Sequence, residues 1–213
     1  MAKPVATTVD RVHERIRQKL LRGELARGQR VSQRKLAREF GCSPVPVAEA
    51  MRRLESEGLL VKEPLKIARV RTLSLRDLEG LYLIREGLES VAARLCAQRI
   101  TDDQIAELKG MGHDLEEAVL GGDTMEQTRL DVAIHRFIYR CAECPLLESE
   151  LDRLLILEKT AGRNDPIDRR EYLHRHKALI QAIADRDGDS AEYLAKRHVR
   201  SGYEYLASHG LTD

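Results

Sequence analysis

The chain has no tryptophan, and only two phenylalanines and six tyrosines among 213 residues. With hydrophobic residues at 42%, that scarcity of rings suits a helical protein built from Leu, Ile, Val and Ala. No apolar run approaches the roughly 18 residues a membrane-spanning helix needs, so a span is not expected. The opening MAKPVATTVD lacks the apolar stretch of a secretory signal. Four cysteines without an export signal fit a reducing cytoplasm, the expected location, rather than a disulfide scaffold. Cys141-Ala-Glu-Cys144 is a lone CxxC. A zinc knuckle needs two further ligands at suitable spacing, and a thioredoxin-type site needs a strand before the motif. Neither context is present, so the cysteines read as structural or incidental.

Net charge is nearly absent too, at +1, but its distribution is uneven. Residues 1–71 hold 17 basic and 8 acidic side chains, a net of +9; residues 72–213 hold 19 and 27, a net of −8. A basic N-terminal third can neutralise phosphates and release counterions, whereas an acidic remainder repels them. This asymmetry points to a nucleic-acid partner.

The excess coincides with VSQRKLAREFGCSPVPVAEAMRRLESEGLLV, residues 31–61. Ser32 is a suitable N-cap, and Leu36, Ala37 and Phe40 share one helical face. Gly41-Cys42 breaks the helix. Ser43 caps the next, with Pro44 at its first position and Val47, Ala50, Met51 and Leu54 as its inner stripe. Gly58 closes it. Two helices so spaced are a helix-turn-helix or an ordinary helical hairpin, and the charge favours the first. A helix over 8–21, with Thr8 as its cap, precedes them. Leu59 to Lys62 and Ile67 to Arg71 follow as a hairpin, the wing of a winged helix-turn-helix. The candidate DNA contacts are Arg34, Ser43, Arg52, Arg53, Lys66 and Arg69.

From Leu75 the pattern is helix after helix. Helices are predicted over 75–99, 101–121, 124–141, 145–159, 168–186 and 189–208, with a turn at Asn164-Asp-Pro166. The third of them begins at an Asp123 or Thr124 cap. Six helices without a strand signal make an antiparallel bundle, so the fold class is mostly α with two domains, 1–71 and 75–209. Asp131, Ile134, His135 and Ile138 share one face, His176 lies with Leu179, Ile180 and Ile183, and His198 lies one turn after Leu194. A carboxylate and three imidazoles aimed at a bundle interior suit a divalent transition metal, Zn²⁺ or Ni²⁺, with positions open for an oxygen ligand. Taken singly, each also fits a hydrogen-bonded core. His174 faces elsewhere, and His13, His113 and His209 have no comparable partners. Arg85, on the inward stripe of the first bundle helix, can fork to a carboxylate effector or pair with Glu89 one turn on.

Gly23-Glu-Leu25, Gly28, Leu36-Ala37, Phe40-Gly41, Ser43, Pro46-Val47, Glu49-Ala50, Leu54 and Glu57-Gly58-Leu59 together resemble the GntR family of bacterial transcriptional regulators. Arg27 stands where that family has proline, Pro44 and Ala48 where it has recognition-helix arginines, and Lys66-Ile67-Ala68 replaces the wing-tip glycine. Leu81 to Ala93, Asp131-Val-Ala-Ile-His135, His176 to Ile183, Gly188-Asp189 and His198 resemble the FCD effector domain of the FadR-type branch. Six bundle helices are similar to its shorter, VanR-like members. The resemblance implies a homodimer on a double-stranded DNA operator, a metal held by Asp131, His135, His176 and His198, and a small carboxylate effector. A metal sensor and a metal-dependent enzyme acting on a small organic acid are the alternatives.

Overall fold

The computed structural model describes residues 6–63, 67–161 and 169–209. The predicted turn at Asn164-Asp-Pro166 and the DNA candidate Lys66 lie outside them. The chain divides into two units, the first running to Leu73 and taking in Ile156–Ala161, the second comprising the rest.

The first unit contains α1 (Thr8–Leu21), β1 (Arg30–Val31), α2 (Gln33–Phe40), α3 (Pro44–Ser56), β2 (Leu60–Glu63) and β3 (Ile67–Val70). Thr7, not Thr8, caps α1: its hydroxyl accepts from the Asp10 N–H while Asp10 accepts from the Thr7 N–H. Ser32 caps α2 as expected. Gly41 then turns the chain at φ 66°, a left-handed conformation that costs glycine nothing. Val12, Ile16 and Leu20 of α1 meet Val47, Ala50 and Leu54 of α3 in a buried core. The wing is an antiparallel hairpin in the register Leu60↔Val70 to Glu63↔Ile67. The sheet also has a third strand that sequence analysis did not anticipate, β1, which pairs Arg30 with Arg69 and Val31 with Ala68. Two residues are too few to show alternation.

The second unit is built on α4 (Leu75–Arg99), α5 (Asp102–Gly121), α6 (Thr124–Cys141), the part of α7 (Pro145–Ala161) up to Leu155, α8 (Arg169–Ala184) and α9 (Gly188–His209). Ser74 and Asp77 form a capping box on α4, as Thr101 and Gln104 do on α5, and Asp123 caps α6. α4 lies along α9, and α5 packs on α6 and α8. The approach of α4 and α9 is close because Gly202 has no side chain: a Cβ there would sit 3.2 Å from the Tyr82 ring. Among the described residues no helix is long and apolar enough to cross a membrane.

Candidate metal centre and nucleic-acid face

Three helices of the second unit converge on one point. Asp131 and His135 stand one turn apart on α6, His176 on α8 and His198 on α9. One ligand nitrogen from each histidine lies within 4.8 Å of the other two, the one such cluster among the described residues. Asp131 Oδ1 is 3.1 Å from His176 Nε2 and 3.8 Å from His135 Nε2. Asp131, His135 and His176 are buried, and His198 is half-buried. The three histidines singled out in the sequence therefore come together, with Asp131 close to two of them.

Neighbouring groups aim the rings. His176 Nδ1 is 2.9 Å from the Tyr172 carbonyl, and His135 Nδ1 is 3.1 Å from Glu89 Oε2. Each of these oxygens accepts the Nδ1 proton, which leaves the Nε2 lone pair facing the cluster. The Tyr172 hydroxyl donates to Asp131 Oδ1 at 2.8 Å. A neutral His176 has one proton and cannot donate to Tyr172 and Asp131 together; a cation between Nε2 and Oδ1 removes the conflict. Among the described residues His198 Nδ1 is buried with no hydrogen-bond partner. An orphaned imidazole nitrogen beside two inward-facing ones and a carboxylate is a donor set that fits a divalent transition metal.

At His198 charge supports the same fit. Burial pushes the His198 pKa well down, and His176 and His135 beside it push the same way, so this ring stays neutral, the state a ligand needs. Burial also lowers His135, but the Glu89 carboxylate outweighs it and the net shift is upward. Burial pushes Glu89 up, yet the charges of Arg85 and His135 hold it well below the usual carboxylate range. Arg85 Nε donates to Glu89 Oε1 at 2.6 Å, with both side chains buried. Of the two roles the sequence left open for Arg85, the structure displays the pairing with Glu89. Glu89, Tyr172 and Tyr139 are parts of this network that sequence analysis did not assign to the site. Their one legible signal was position: Tyr172 precedes His176 by one turn, and Glu89 lies on the inward stripe.

His174 is exposed, as expected, and so is His113 beside Glu117. His13 differs from expectation: it has a partner in Glu57, at 2.6 Å, across 44 residues of chain. Arg17 reaches the same carboxylate at 2.9 Å.

On the first unit Arg34 is exposed on α2. Ser43 is exposed at the N-cap of α3, but its hydroxyl makes no cap bond. The N3 residue is Pro46, which has no N–H to offer. Arg52 is exposed and 2.5 Å from Glu49. Arg53 spans to Asp10 on α1 at 2.8 Å. Arg69 bonds Glu63 across the hairpin and the Gly28 carbonyl. Arg52 therefore stays on its own helix, while Arg53 and Arg69 tie elements of the unit together.

Residues 8–69 match the family profile described as "Bacterial regulatory proteins, gntR family", and residues 80–201 match that of the "FCD domain". A "Probable D-xylose utilization operon transcriptional repressor" from Paenarthrobacter nicotinovorans is 29% identical over 91% of this chain and 86% of its own length. The transcriptional regulator McbR of Escherichia coli (strain K12) is 26% identical over 90% of this chain and 88% of its own. The solved structure of E. coli McbR/YncC superposes with a TM-score of 0.85 at 24% identity, covering 95% of this chain and 98% of that one. These relatives are regulators, not enzymes.

Proposed function

We propose that this chain, a transcriptional regulator that belongs to the gntR family of bacterial regulatory proteins and carries an FCD domain, sets its operator affinity through a small carboxylate effector bound at a metal centre. Asp131, His135, His176 and His198 would hold the ion, with Zn²⁺ or Ni²⁺ best matched to an imidazole-rich set. When bound, the metal supplies a Lewis-acid position for an effector carboxylate oxygen. Glu89 and the Tyr172 carbonyl keep two of the rings turned inward, and Arg85, already charged and buried beside them, adds an attractive field for an anion. The observations that carry this reading are the convergence of three imidazoles with Asp131 beside two of them, and the orphaned Nδ1 of the His198 ring.

The protein would act in the cytoplasm as a homodimer, placing two winged heads on a pseudo-palindromic operator. Ser43, Arg34 and Arg52 are the candidate contacts on the first unit, with Arg53, Arg69 and Lys66 as further candidates for phosphate. An effector can shift operator affinity only by binding one arrangement of the dimer more tightly than the other. The test begins with elemental analysis and native mass spectrometry of the purified protein. An operator is then selected from a random duplex pool and its affinity measured with a panel of small acids, before and after chelation. One metal per chain and an acid-dependent affinity are expected. Indifference to every acid and to chelation would remove the switching role while leaving the DNA-binding role intact.

A further inference from the structure

α3 turns one chemistry inward and another outward. Val47, Ala50, Met51 and Leu54 are buried in the core of the first unit. Val45, Ala48, Glu49 and Arg52, at steps of three, one and three, share the opposite face. Val45 is 74% exposed, and among the described residues of this unit it is the one large hydrophobic side chain left in solvent. A β-branched residue so placed adds little to helix formation or to burial. Ala48 and Glu49 are half-buried, and Arg52 is exposed.

The first turn of α3 suits base edges rather than phosphate. A helix N-terminus that cradles phosphate offers its free N–H groups. Here Pro44 and Pro46 take the first and third positions and have none. Gln33 Nε2 donates to the Pro44 carbonyl at 2.8 Å, which ties the turn to α2 and occupies an amide suited to reading adenine. Between Arg38 and Arg52 there is no lysine or arginine, so the fork that reads guanine O6 and N7 is missing from the first two turns. Arg52 stands about 10 Å along the axis from Val45 at 1.5 Å per residue. Its guanidinium is 2.5 Å from Glu49. The Ser43 hydroxyl bonds donors and acceptors alike and discriminates little. The remaining groups on this turn are the methyls of Val45 and Ala48. In the major groove thymine alone carries a matching apolar group, its C5 methyl. Val45 and Ala48 are about 4.5 Å apart along the axis, against about 3.4 Å per base step, so they reach neighbouring pairs. The net +9 of residues 1–71 makes duplex DNA, rather than an apolar protein segment, the occupant of this face.

We propose that Val45 and Ala48 read the C5 methyl groups of thymines in neighbouring base pairs of each operator half-site. This rests on the DNA-binding reading above and names the base feature that α3 recognises. The test uses the full-length protein and the operator selected from a random duplex pool. Thymines of the selected half-sites are replaced one at a time by deoxyuridine, which lacks only the C5 methyl, and affinity is read by fluorescence anisotropy. At two neighbouring positions of each half-site, wild type is expected to lose about fourfold per methyl, the worth of burying one such group. Val45→Ser is expected to lose a similar factor on the thymine operator and to become indifferent to deoxyuridine at one of the two positions. Its helical circular dichroism and salt slope should be unchanged, since the side chain is exposed and no charge has moved. A selected half-site without neighbouring thymines, equal affinity for thymine and deoxyuridine operators, or a Val45→Ser protein as sensitive to deoxyuridine as wild type would overturn the methyl contact and leave DNA binding standing. A pool from which no duplex is enriched would overturn both.

Discussion

Glu89 has more to do than its place on an inward stripe announces. It neutralises the buried Arg85 and receives the Nδ1 proton of His135, so one carboxylate joins the guanidinium of α4 to a ligand of α6. Glu89→Gln keeps the shape but removes the charge, and a carboxylate that orients a ligating histidine is worth roughly 10–100-fold in metal affinity. That loss is the expected result of a competition titration with a chromogenic chelator. An unchanged affinity would confine Glu89 to balancing Arg85. His176→Ala removes a ligand outright, and the metal content by plasma emission should fall from about one per chain to a small fraction of that. His174→Ala, two residues away but exposed, should leave it unchanged.

Elements in the first unit are joined by a polar clasp as well as an apolar core. Glu57, just past the end of α3, takes His13 and Arg17 from α1. Burial pushes the Glu57 carboxyl up, but its bond to His13 and the charges of His13 and Arg17 outweigh that and hold it below its ordinary value of 4.5. A carboxylate with a lowered folded pKa contributes stability that is present above the ordinary value and lost as pH falls through the folded one. Urea midpoints of the winged unit should therefore decline from about pH 4.5 downward. Glu57→Gln should flatten that decline and cost about 1–2 kcal/mol at neutral pH. The core beneath is less forgiving: Leu54 is fully buried, and Leu54→Ala should cost about 2–5 kcal/mol. A loss below about 1 kcal/mol would show that the helices repack to fill the gap.

Across the whole molecule, the charge division decides how DNA is met. The net +9 of residues 1–71 against −8 for the remainder turns one part toward phosphate and makes the other avoid it. If six or more phosphates are neutralised, operator affinity should fall on the order of a thousandfold between 50 and 200 mM salt. Fluorescence anisotropy on a labelled operator reads that slope directly, and a flat profile would argue against phosphate contacts. Arg52→Ala should weaken binding evenly across operator variants and reduce the slope by about one if Arg52 touches phosphate.

Local chemistry made much of this protein readable in advance. Helical periodicity, the Ser32 cap, the Gly41 break and the Leu60 to Val70 hairpin are written in neighbouring residues, and so was the spacing of Asp131 with His135. The two-residue β1 was too short to register, and Thr7 rather than Thr8 caps α1 because the cap is chosen by which hydroxyl the Asp10 N–H can reach. His13 with Glu57, Glu89 with His135 and Tyr172 with Asp131 are each separated by more than 40 residues, and no periodicity records such pairs. By itself, then, the sequence determined the helices, the partition of charge and the donor types offered to a metal, because those follow from backbone preference and side-chain chemistry. Only the tertiary structure decided which nitrogen of His135 and of His176 faces inward, that Arg85 meets Glu89, and that α4 keeps an apolar face outside. Those outcomes depend on which helices pack together, and packing sums weak contacts over the whole unit rather than over adjacent residues.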